Sequence, residues 1–359
     1  MPSNTQDQSV TFNGWASTGT AHLKQWSYHP RPLGPKDVEM EISHCGICGS
    51  DIHTITSGWG ELKNGPCISG HEIVGKVVAK GDSSHHQIGD LVGVGAMVDS
   101  CDDCKECNNG FHQLCLVKGM TYNDTFKDGR GGLTYGGYAD RVRVNGEFAF
   151  KIPSNISAAE AAPLLCAGVT TYSPLKAHGA GPGKTVGVIG IGGLGHLAIQ
   201  WAHAMKCDEV VAISTSDNKR EESKKLGASK FVNSKNPEEV AAAAKSMDII
   251  ICTSFDKNAN WGELLQLVAN RGKLVLLALP EAPLSIPANA LLSREVSIVG
   301  SLIGGKEMVQ EMLQFASEHN VRPWIEKMPM SDANAAIKRM MEGRPRYRIV
   351  METEAASRA

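Results

Sequence analysis

The feature that most constrains this chain is a glycine turn between an apolar run and a helical segment, VGVIGIGGLGH at residues 186–196. Its glycines follow the pattern G-x-G-x-x-G. The first permits a sharp turn, the second lets backbone N–H groups approach a pyrophosphate, and the third lets helix and strand pack closely. A second apolar run at 210–213 completes a βαβ unit, which predicts dinucleotide binding rather than a turn without a ligand. The turn residues expected at the cofactor are Gly190, Gly192, Gly193, Leu194 and Gly195.

Strands and helices alternate regularly after about residue 183. Continuous apolar strands that alternate with helices are typical of a parallel sheet covered on both faces. Helices are predicted at 218–226, 237–246 and 259–272, and strands at 230–233, 247–253, 273–280 and 296–301.

The N-terminal part contains reactive side chains on short β-type segments. Residues 38–53 alternate like a strand and then enter a glycine-rich bend, and a β-type run at 73–79 follows. Turns at short spacing predict a β-rich, barrel-like domain. Cys166 lies farther on, in an apolar segment predicted to be helical from about Ala158. The candidate reactive residues are Cys48, Ser50, Asp51, His53, His71 and Glu72.

The segment CDDCKECNNGFHQLC gives the strongest indication of a metal-binding site in the sequence. Its thiols are those of Cys101, Cys104, Cys107 and Cys115. Four thiolates at this spacing can close a tetrahedron around zinc, which leaves no position for substrate and therefore indicates a structural ion. Paired disulfides are the alternative. The intracellular setting and the strain expected in such short loops disfavour them.

Composition and charge exclude several classes of function. The formal net charge of −2 means that the chain lacks the excess of positive charge typical of proteins that bind nucleic acid or an acidic membrane. No apolar run is long enough to span a bilayer, and the first residues lack the basic-then-apolar pattern of a signal peptide. We therefore expect a cytoplasmic protein without membrane or nucleic-acid partners. In that setting, ten cysteines suggest metal binding or catalysis more than disulfides.

The order of motifs GICGSD, SGHE, C-x2-C-x2-C-x7-C, PLLCAG and GIGGLGH resembles the zinc-dependent medium-chain dehydrogenases, especially their cinnamyl-alcohol-dehydrogenase-like branch. The resemblance covers nearly the whole chain. It implies an α/β fold with two parts, a GroES-like β-rich catalytic domain formed by residues 1–165 and 303–359, and a Rossmann doubly wound parallel sheet domain formed by 166–302.

The resemblance also implies a catalytic zinc held by Cys48, His71 and Cys166, with the fourth position open. Asp51 would orient the histidine ligand, and Glu72 would lie beside the metal. Ser50 and His53 match a proton relay, for which a group that titrates near neutrality is suited. Simple loop polarity is the alternative for this pair. The implied reaction is hydride exchange between a nicotinamide cofactor and a carbonyl carbon.

The end of the second Rossmann strand predicts NADP(H). NAD enzymes place a carboxylate there, whereas this chain has Ser214, Thr215 and Ser216, followed by Lys219. A carboxylate would repel a phosphate with about two negative charges, and hydroxyls with a lysine can bind it. The alternative is that Lys219 only solvates a helix face.

By resemblance, an apolar substrate pocket would suit aromatic, allylic or aliphatic aldehydes and the corresponding alcohols. Its expected lining residues are Trp59, Met120, Leu302 and Ile303. Plant lignin enzymes usually carry tryptophan at the position of Met120, which favours a broader aldehyde reductase. Two alternatives are a polyol or sugar dehydrogenase, which Cys166 disfavours, and a non-enzymatic zinc-stabilised relative.

The resemblance further implies a homodimer that pairs along residues 299–302. Cys45, Cys67, Cys207 and Cys252 are expected to pack in the core.

Overall fold

The computed structural model describes residues 6–63, 65–254, 260–278 and 283–358. The described chain divides into two compact units. The first contains the residues up to Cys166, then Gly304–Glu318, and the residues from Arg322 onward. The second contains Ala167–Ile303 and His319–Val321.

The N-terminal part of the first unit is mostly antiparallel sheet. Strand β3 is its longest strand, and it pairs with both β5 and β9. The elements are β1 Phe12–Ser17, β2 Lys24–Tyr28, β3 Asp37–Gly46, α1 Gly49–Ile55, β4 Cys67–Ile68, β5 Ile73–Lys80, β6 Leu91–Val94, β7 Met97–Asp99, α2 Lys105–Asn108, β8 Gly119–Met120, β9 Arg141–Asn145, β10 Ala149–Lys151 and α3 Ala158–Pro163.

The second unit is a six-stranded parallel sheet with its helices in the connections. Its elements are α4 Val169–Ala177, β11 Thr185–Ile189, α5 Gly195–Ala204, β12 Glu209–Ser214, α6 Arg220–Lys225, β13 Lys230–Asn233, α7 Pro237–Ala242, β14 Met247–Cys252, α8 Trp261–Gln266, β15 Val268–Leu276, α9 Ala288–Leu292 and β16 Ser297–Gly300. The spatial order is β13-β12-β11-β14-β15-β16. This is the doubly wound order in which a dinucleotide binds at the carboxyl ends of the first strands.

The C-terminal part returns to the first unit. It consists of α10 Lys306–Glu318, β17 Ile325–Pro329, α11 Ala333–Met341 and β18 Arg348–Glu352. Strand β18 lies between β3 and β17, so the last strand of the chain occupies an interior position in the seven-stranded sheet. In the described residues no helix is both long and apolar enough to cross a membrane.

The predicted alternation of strands and helices is confirmed in the second unit, with one error. The helix predicted at 259–272 ends at Gln266, and Val268 already pairs with Met247 as part of β15. Pairing with the neighbouring buried strand overrides the helical spacing of this segment. Two residues of the strand predicted at 273–280, at positions 279 and 280, lie outside the described residues. Strand β17 was also not predicted from the sequence.

A buried ion-pair network fixes the start of β3. The Asp37 carboxylate is fully buried, and Arg31 Nη2 lies 2.7 Å and Arg130 Nη2 2.9 Å from its Oδ1. Asp128 accepts from both arginines, at 2.8 and 2.5 Å. Since the Arg31 guanidinium is also buried, its charge depends on these carboxylates.

We expect the substitution Asp37→Ala to destabilise the protein by about 3 kcal/mol, because it leaves the buried Arg31 charge with less compensation. The matched control is Lys36→Ala, which removes an exposed ion pair with Glu147 in the same stretch and should change stability by less than about 1 kcal/mol. Urea unfolding followed by circular dichroism measures both. Equal unfolding midpoints for the two variants would contradict the role of the network.

Candidate active site and metal centres

Helix α1 places the first set of reactive side chains. The sequence predicted a bend here, but Cys48 instead caps a short helix, and its backbone N–H donates to Asp51 Oδ2 at 2.9 Å. This hydrogen bond stabilises the helix start as an Asp in the first turn commonly does. Ser50 and His53 are three residues apart and share one face of the helix. Ser50 Oγ lies 3.8 Å from Cys48 Sγ.

His71 and Cys166 come from two other segments of the first unit. His71 follows Gly70, whose φ of +95° is favourable only for glycine, and His71 Nδ1 lies 2.9 Å from Asp51 Oδ1. Cys166 lies in a π-helical turn, Leu164–Gly168, between α3 and α4. Such turns are rare and are frequent at functional sites. All three predicted ligands are buried.

The candidate ligand atoms of Cys48, His71 and Cys166 lie close to one another. Cys48 Sγ and Cys166 Sγ are 4.0 Å apart, and His71 Nε2 lies 3.1 Å from Cys166 Sγ. A tetrahedral zinc with Zn–S bonds near 2.3 Å needs sulfurs roughly 3.8 Å apart. The donor set therefore fits zinc. The Asp51 hydrogen bond to Nδ1 leaves the Nε2 lone pair free for the ion.

Glu72 joins this group, and its partner is a residue that sequence reasoning missed. Arg348 on β18 donates to Glu72 Oε1, and both side chains are buried. Burial raises the pKa of Glu72 to about 7, although the Arg348 charge acts in the opposite direction. Glu72 Oε2 has no hydrogen-bond partner among the residues that the structure describes. One carboxylate oxygen of Glu72 and the three ligand atoms all lie within 4.8 Å of one another. The 276 residues that separate Glu72 from Arg348 explain why no local pattern revealed the pair.

The four cysteines of the second predicted site also come together. Cys101 Sγ lies 3.9 Å from Cys107 Sγ and 3.5 Å from Cys115 Sγ, and Cys104 completes the cluster. Hydrogen bonds from the backbone of Asp103 and Cys104 lower the pKa of the Cys101 thiol to about 7. All four thiols are unpaired, so the disulfide alternative is not supported. This donor set fits a structural zinc.

A third possible group, Asp102, Cys107 and His112, shares Cys107 with that cluster. Asp102 is occupied otherwise, because Lys306 Nζ lies 2.9 Å from its Oδ1. This ion pair joins the cysteine lobe to the first residue of α10. The four-thiolate set is therefore the better metal site of the two.

The glycine turn of the second unit borders a cavity of about 310 Å³. Gly195 is required sterically, since a Cβ there would lie 1.8 Å from the Gly190 carbonyl oxygen. At Gly192, in contrast, no atom of another described residue lies within 4 Å of an added Cβ, so this space can take a pyrophosphate. Sequence reasoning missed three hydroxyl residues of this cavity, which are Ser234, Thr253 and Ser254.

Ser214, Thr215 and Lys219 all line the same cavity. The Lys219 ammonium donates to the Ile191 carbonyl of the glycine turn. Ser216 is exposed and does not line the cavity. The nearby Asp217 carboxylate pairs with Arg220 at 2.6 Å, so its negative charge is compensated.

The four predicted pocket residues are partly exposed at positions in both units. Trp59 stacks on His53 with ring centroids 4.9 Å apart, and Met120 pairs with Met97 between β7 and β8. Leu302 is 53% exposed in the second unit, where Ile303 also lies. Of the four cysteines predicted to pack in the core, Cys45, Cys67 and Cys252 are buried, whereas Cys207 is only half-buried.

Comparison with known proteins identifies two family matches along the chain. Residues 34–154 match the alcohol dehydrogenase GroES-like domain. Residues 193–318 match the zinc-binding dehydrogenase domain.

Several relatives are similar over almost their whole length. The NADP-dependent alcohol dehydrogenase C 1 of Mycolicibacterium smegmatis is 43% identical over 347 residues, covering 96% of this chain and 98% of the relative. The aldehyde reductase YahK of Escherichia coli is 45% identical, covering 90% and 92%. The structure of a cinnamyl alcohol dehydrogenase from Sorghum bicolor superimposes with a TM-score of 0.90 at 37% identity, covering 96% and 98%.

The buried Glu72–Arg348 pair gives a prediction about stability. Arg348→Met should destabilise the protein by about 3–5 kcal/mol, because it leaves the buried Glu72 carboxylate without its counter-charge. The double variant Glu72→Gln/Arg348→Met should recover most of this loss. Urea unfolding of the metal-loaded protein measures both, and the pairing argument is wrong if the double variant is less stable than the single one.

Proposed function

The chain belongs to the zinc-dependent alcohol dehydrogenase family, and we propose that it transfers a hydride between NADP(H) and the carbonyl carbon of aldehydes, forming primary alcohols or oxidising them in reverse. The observation that carries this proposal is the meeting of Cys48, His71 and Cys166 in one buried cluster of the first unit, of which Cys48 and His71 lie in the segment that matches the GroES-like domain. The names of the relatives, an NADP-dependent alcohol dehydrogenase and an aldehyde reductase, support the same reaction class.

We assign the catalytic zinc to Cys48, His71 and Cys166, with Glu72 beside it, and the structural zinc to the four-cysteine lobe. When bound, the catalytic ion supplies Lewis-acid polarisation of the substrate oxygen, and the nicotinamide supplies or accepts the hydride. Held by two thiolates and one neutral imidazole, the ion would keep a fourth ligand position for that oxygen. The Asp51 hydrogen bond keeps the proton of His71 on Nδ1 and thus holds the ring ready as a ligand.

We assign the proton transfer to Ser50 and His53. The Ser50 hydroxyl lies next to a ligand thiol and is half-buried, which suits it to exchange a proton with the substrate oxygen. His53 lies one helical turn farther along α1, where it stacks on Trp59. A histidine at this place can carry the proton between the hydroxyl and solvent.

The choice of NADP(H) follows from the charges around the cavity at the glycine turn. Ser214 and Thr215 offer hydroxyls and Lys219 offers a cation, while no uncompensated carboxylate lines the described part of this cavity. A phosphate with about two negative charges is favoured in such surroundings. We assign no role at the cofactor to Ser216, which is exposed and does not line this cavity.

We also propose the domain division 1–165 with 303–359 and 166–302, a cytoplasmic location and a homodimer. Strand β16 supports the last point, because it ends the parallel sheet and leaves one edge unpaired in the described chain. An unpaired edge is a natural place for a second copy to continue the sheet.

The substrate class we favour is aromatic, allylic and aliphatic aldehydes, with Trp59, Met120, Leu302 and Ile303 as pocket residues. Polyols and sugars are the alternative substrates. The sister enzymes that act on them typically have a carboxylate where this chain has Cys166, so that alternative is less favoured. A ketose in the substrate panel distinguishes the two.

The first test follows NADPH oxidation at 340 nm with benzaldehyde, cinnamaldehyde, hexanal and a ketose. We expect turnover of the aldehydes, much weaker turnover with NADH, and loss of activity by at least about a hundredfold in Cys166→Ala, which removes one zinc ligand. Metal analysis should find two zinc ions per wild-type chain and one in the variant. Failure of every carbonyl to react, in folded protein with two zinc ions, would support the non-enzymatic alternative.

The second test is Ser214→Asp, which places a carboxylate where the 2′-phosphate is expected. The ratio of kcat/KM for NADP+ over NAD+ should fall by at least about a hundredfold, since like charges repel in this partly buried site. Ser216→Asp serves as the matched control, because that residue is exposed and outside the cavity lining. An unchanged ratio in Ser214→Asp would overturn the cofactor assignment.

A further inference from the structure

The Asp51 carboxylate is the best-satisfied buried charge near the proposed catalytic metal. It is fully buried, and each of its oxygens accepts two hydrogen bonds. Oδ1 accepts from the Gly70 backbone N–H at 3.1 Å and from His71 Nδ1 at 2.9 Å. Oδ2 accepts from the Cys48 backbone N–H at 2.9 Å and from the Tyr138 hydroxyl at 3.0 Å. Only the last donor belongs to a segment that carries no proposed ligand.

Tyr138 is held from several sides, so the position of its hydroxyl is fixed by the fold. Its backbone N–H donates to the Ser69 carbonyl at 3.0 Å, and its own carbonyl accepts from Trp15 at 2.7 Å. Its ring packs against Gly70, where a Cβ would lie 2.6 Å from the ring. Burial and then the Asp51 charge raise the pKa of Tyr138 well above its ordinary value, so the hydroxyl keeps its proton and remains a donor.

We propose that Tyr138 is a positioning residue for the catalytic metal, acting through Asp51 on the tautomer and orientation of His71. This inference rests on the catalytic site proposed above. A carboxylate that is hydrogen-bonded at both oxygens keeps one orientation, and an outer partner of this kind orients the ligand that it contacts. The Tyr138 bond fixes Oδ2, so that Oδ1 stays in line with Nδ1 and the Nε2 lone pair stays aimed at the metal.

A second tyrosine lies at the same histidine. The Tyr122 hydroxyl oxygen is 3.3 Å from His71 Nδ1, which is a longer contact than the Asp51 bond. Tyr122 also interacts with the Asp51 carboxylate, so its removal would change contacts to both the ring and the carboxylate. Removal of the Tyr138 hydroxyl, in contrast, takes away one hydrogen bond to Asp51 Oδ2 and leaves the bond between Asp51 Oδ1 and His71 in place.

The test is the rate at which a chromogenic chelator removes zinc from purified holoenzyme. Tyr138→Phe should release the catalytic zinc about three- to tenfold faster than wild type, somewhat less than the loss typical for groups that contact a metal ligand directly. The phase that belongs to the catalytic ion is identified by its absence in Cys166→Ala. The other phase, from the four-cysteine lobe, should not change.

The matched control is Tyr28→Phe, which removes another buried hydroxyl from the same unit. Tyr28 donates to the Arg141 carbonyl at 3.2 Å and does not contact Asp51. If Tyr28→Phe accelerates zinc release as much as Tyr138→Phe, or if neither does, the inference is wrong. Replacement of the catalytic ion by Co²⁺ gives a second readout, because a reoriented imidazole should shift its visible absorption in Tyr138→Phe and not in Tyr28→Phe.

The zinc content of the wild type and of Cys166→Ala distinguishes failure of the proposed catalytic site from failure of the role proposed for Tyr138. If the wild-type chain holds only one zinc ion, and Cys166→Ala holds the same, the catalytic site itself is wrong. If the wild type holds two and Tyr138→Phe matches it in release rate and cobalt absorption, only the role of Tyr138 is overturned. A lower melting temperature in Tyr138→Phe without either change would indicate a purely structural role and would also overturn the inference.

Discussion

The hydrogen bond between Asp51 and His71 is the interaction on which the candidate active site depends. It joins helix α1 to the segment after β4, and it fixes which imidazole nitrogen carries the proton. A buried carboxylate is stable only where donors surround it. Asp51 accepts four hydrogen bonds, which tie together helix α1, the segment that carries His71 and the segment before β9.

Much of the second unit could be predicted from the sequence because its signals are local. The glycine turn, the apolar strands and the helices between them each occupy a short window, and the parallel order follows from connections of one hand. The prediction failed where pairing with a neighbouring strand, and not the local sequence pattern, determines the secondary structure. Residues 268–272 have a helix-like pattern, but Met247 offers Val268 a partner strand, and strand pairing prevails.

The metal centres were predictable to different degrees. The four cysteines of the structural lobe lie within fifteen residues, so their spacing alone identified them. Cys166 looked like an ordinary core residue, and only the resemblance to a family placed it with Cys48 and His71. Arg348 and Tyr138 gave no signal, because a buried arginine or tyrosine acquires its role from a partner far along the chain.

The interior position of β18 has a consequence for how the protein matures during synthesis. The parallel-sheet unit is almost continuous in sequence and can form once its strands have left the ribosome. The other unit is completed later, because its sheet remains open between β3 and β17 until β18 has been made. Arg348 lies on that same strand, so the charge that compensates Glu72 is made after the candidate metal ligands. A nascent chain therefore contains both cysteine clusters throughout the synthesis of the parallel-sheet unit, before the buried ion pair beside one of them can form.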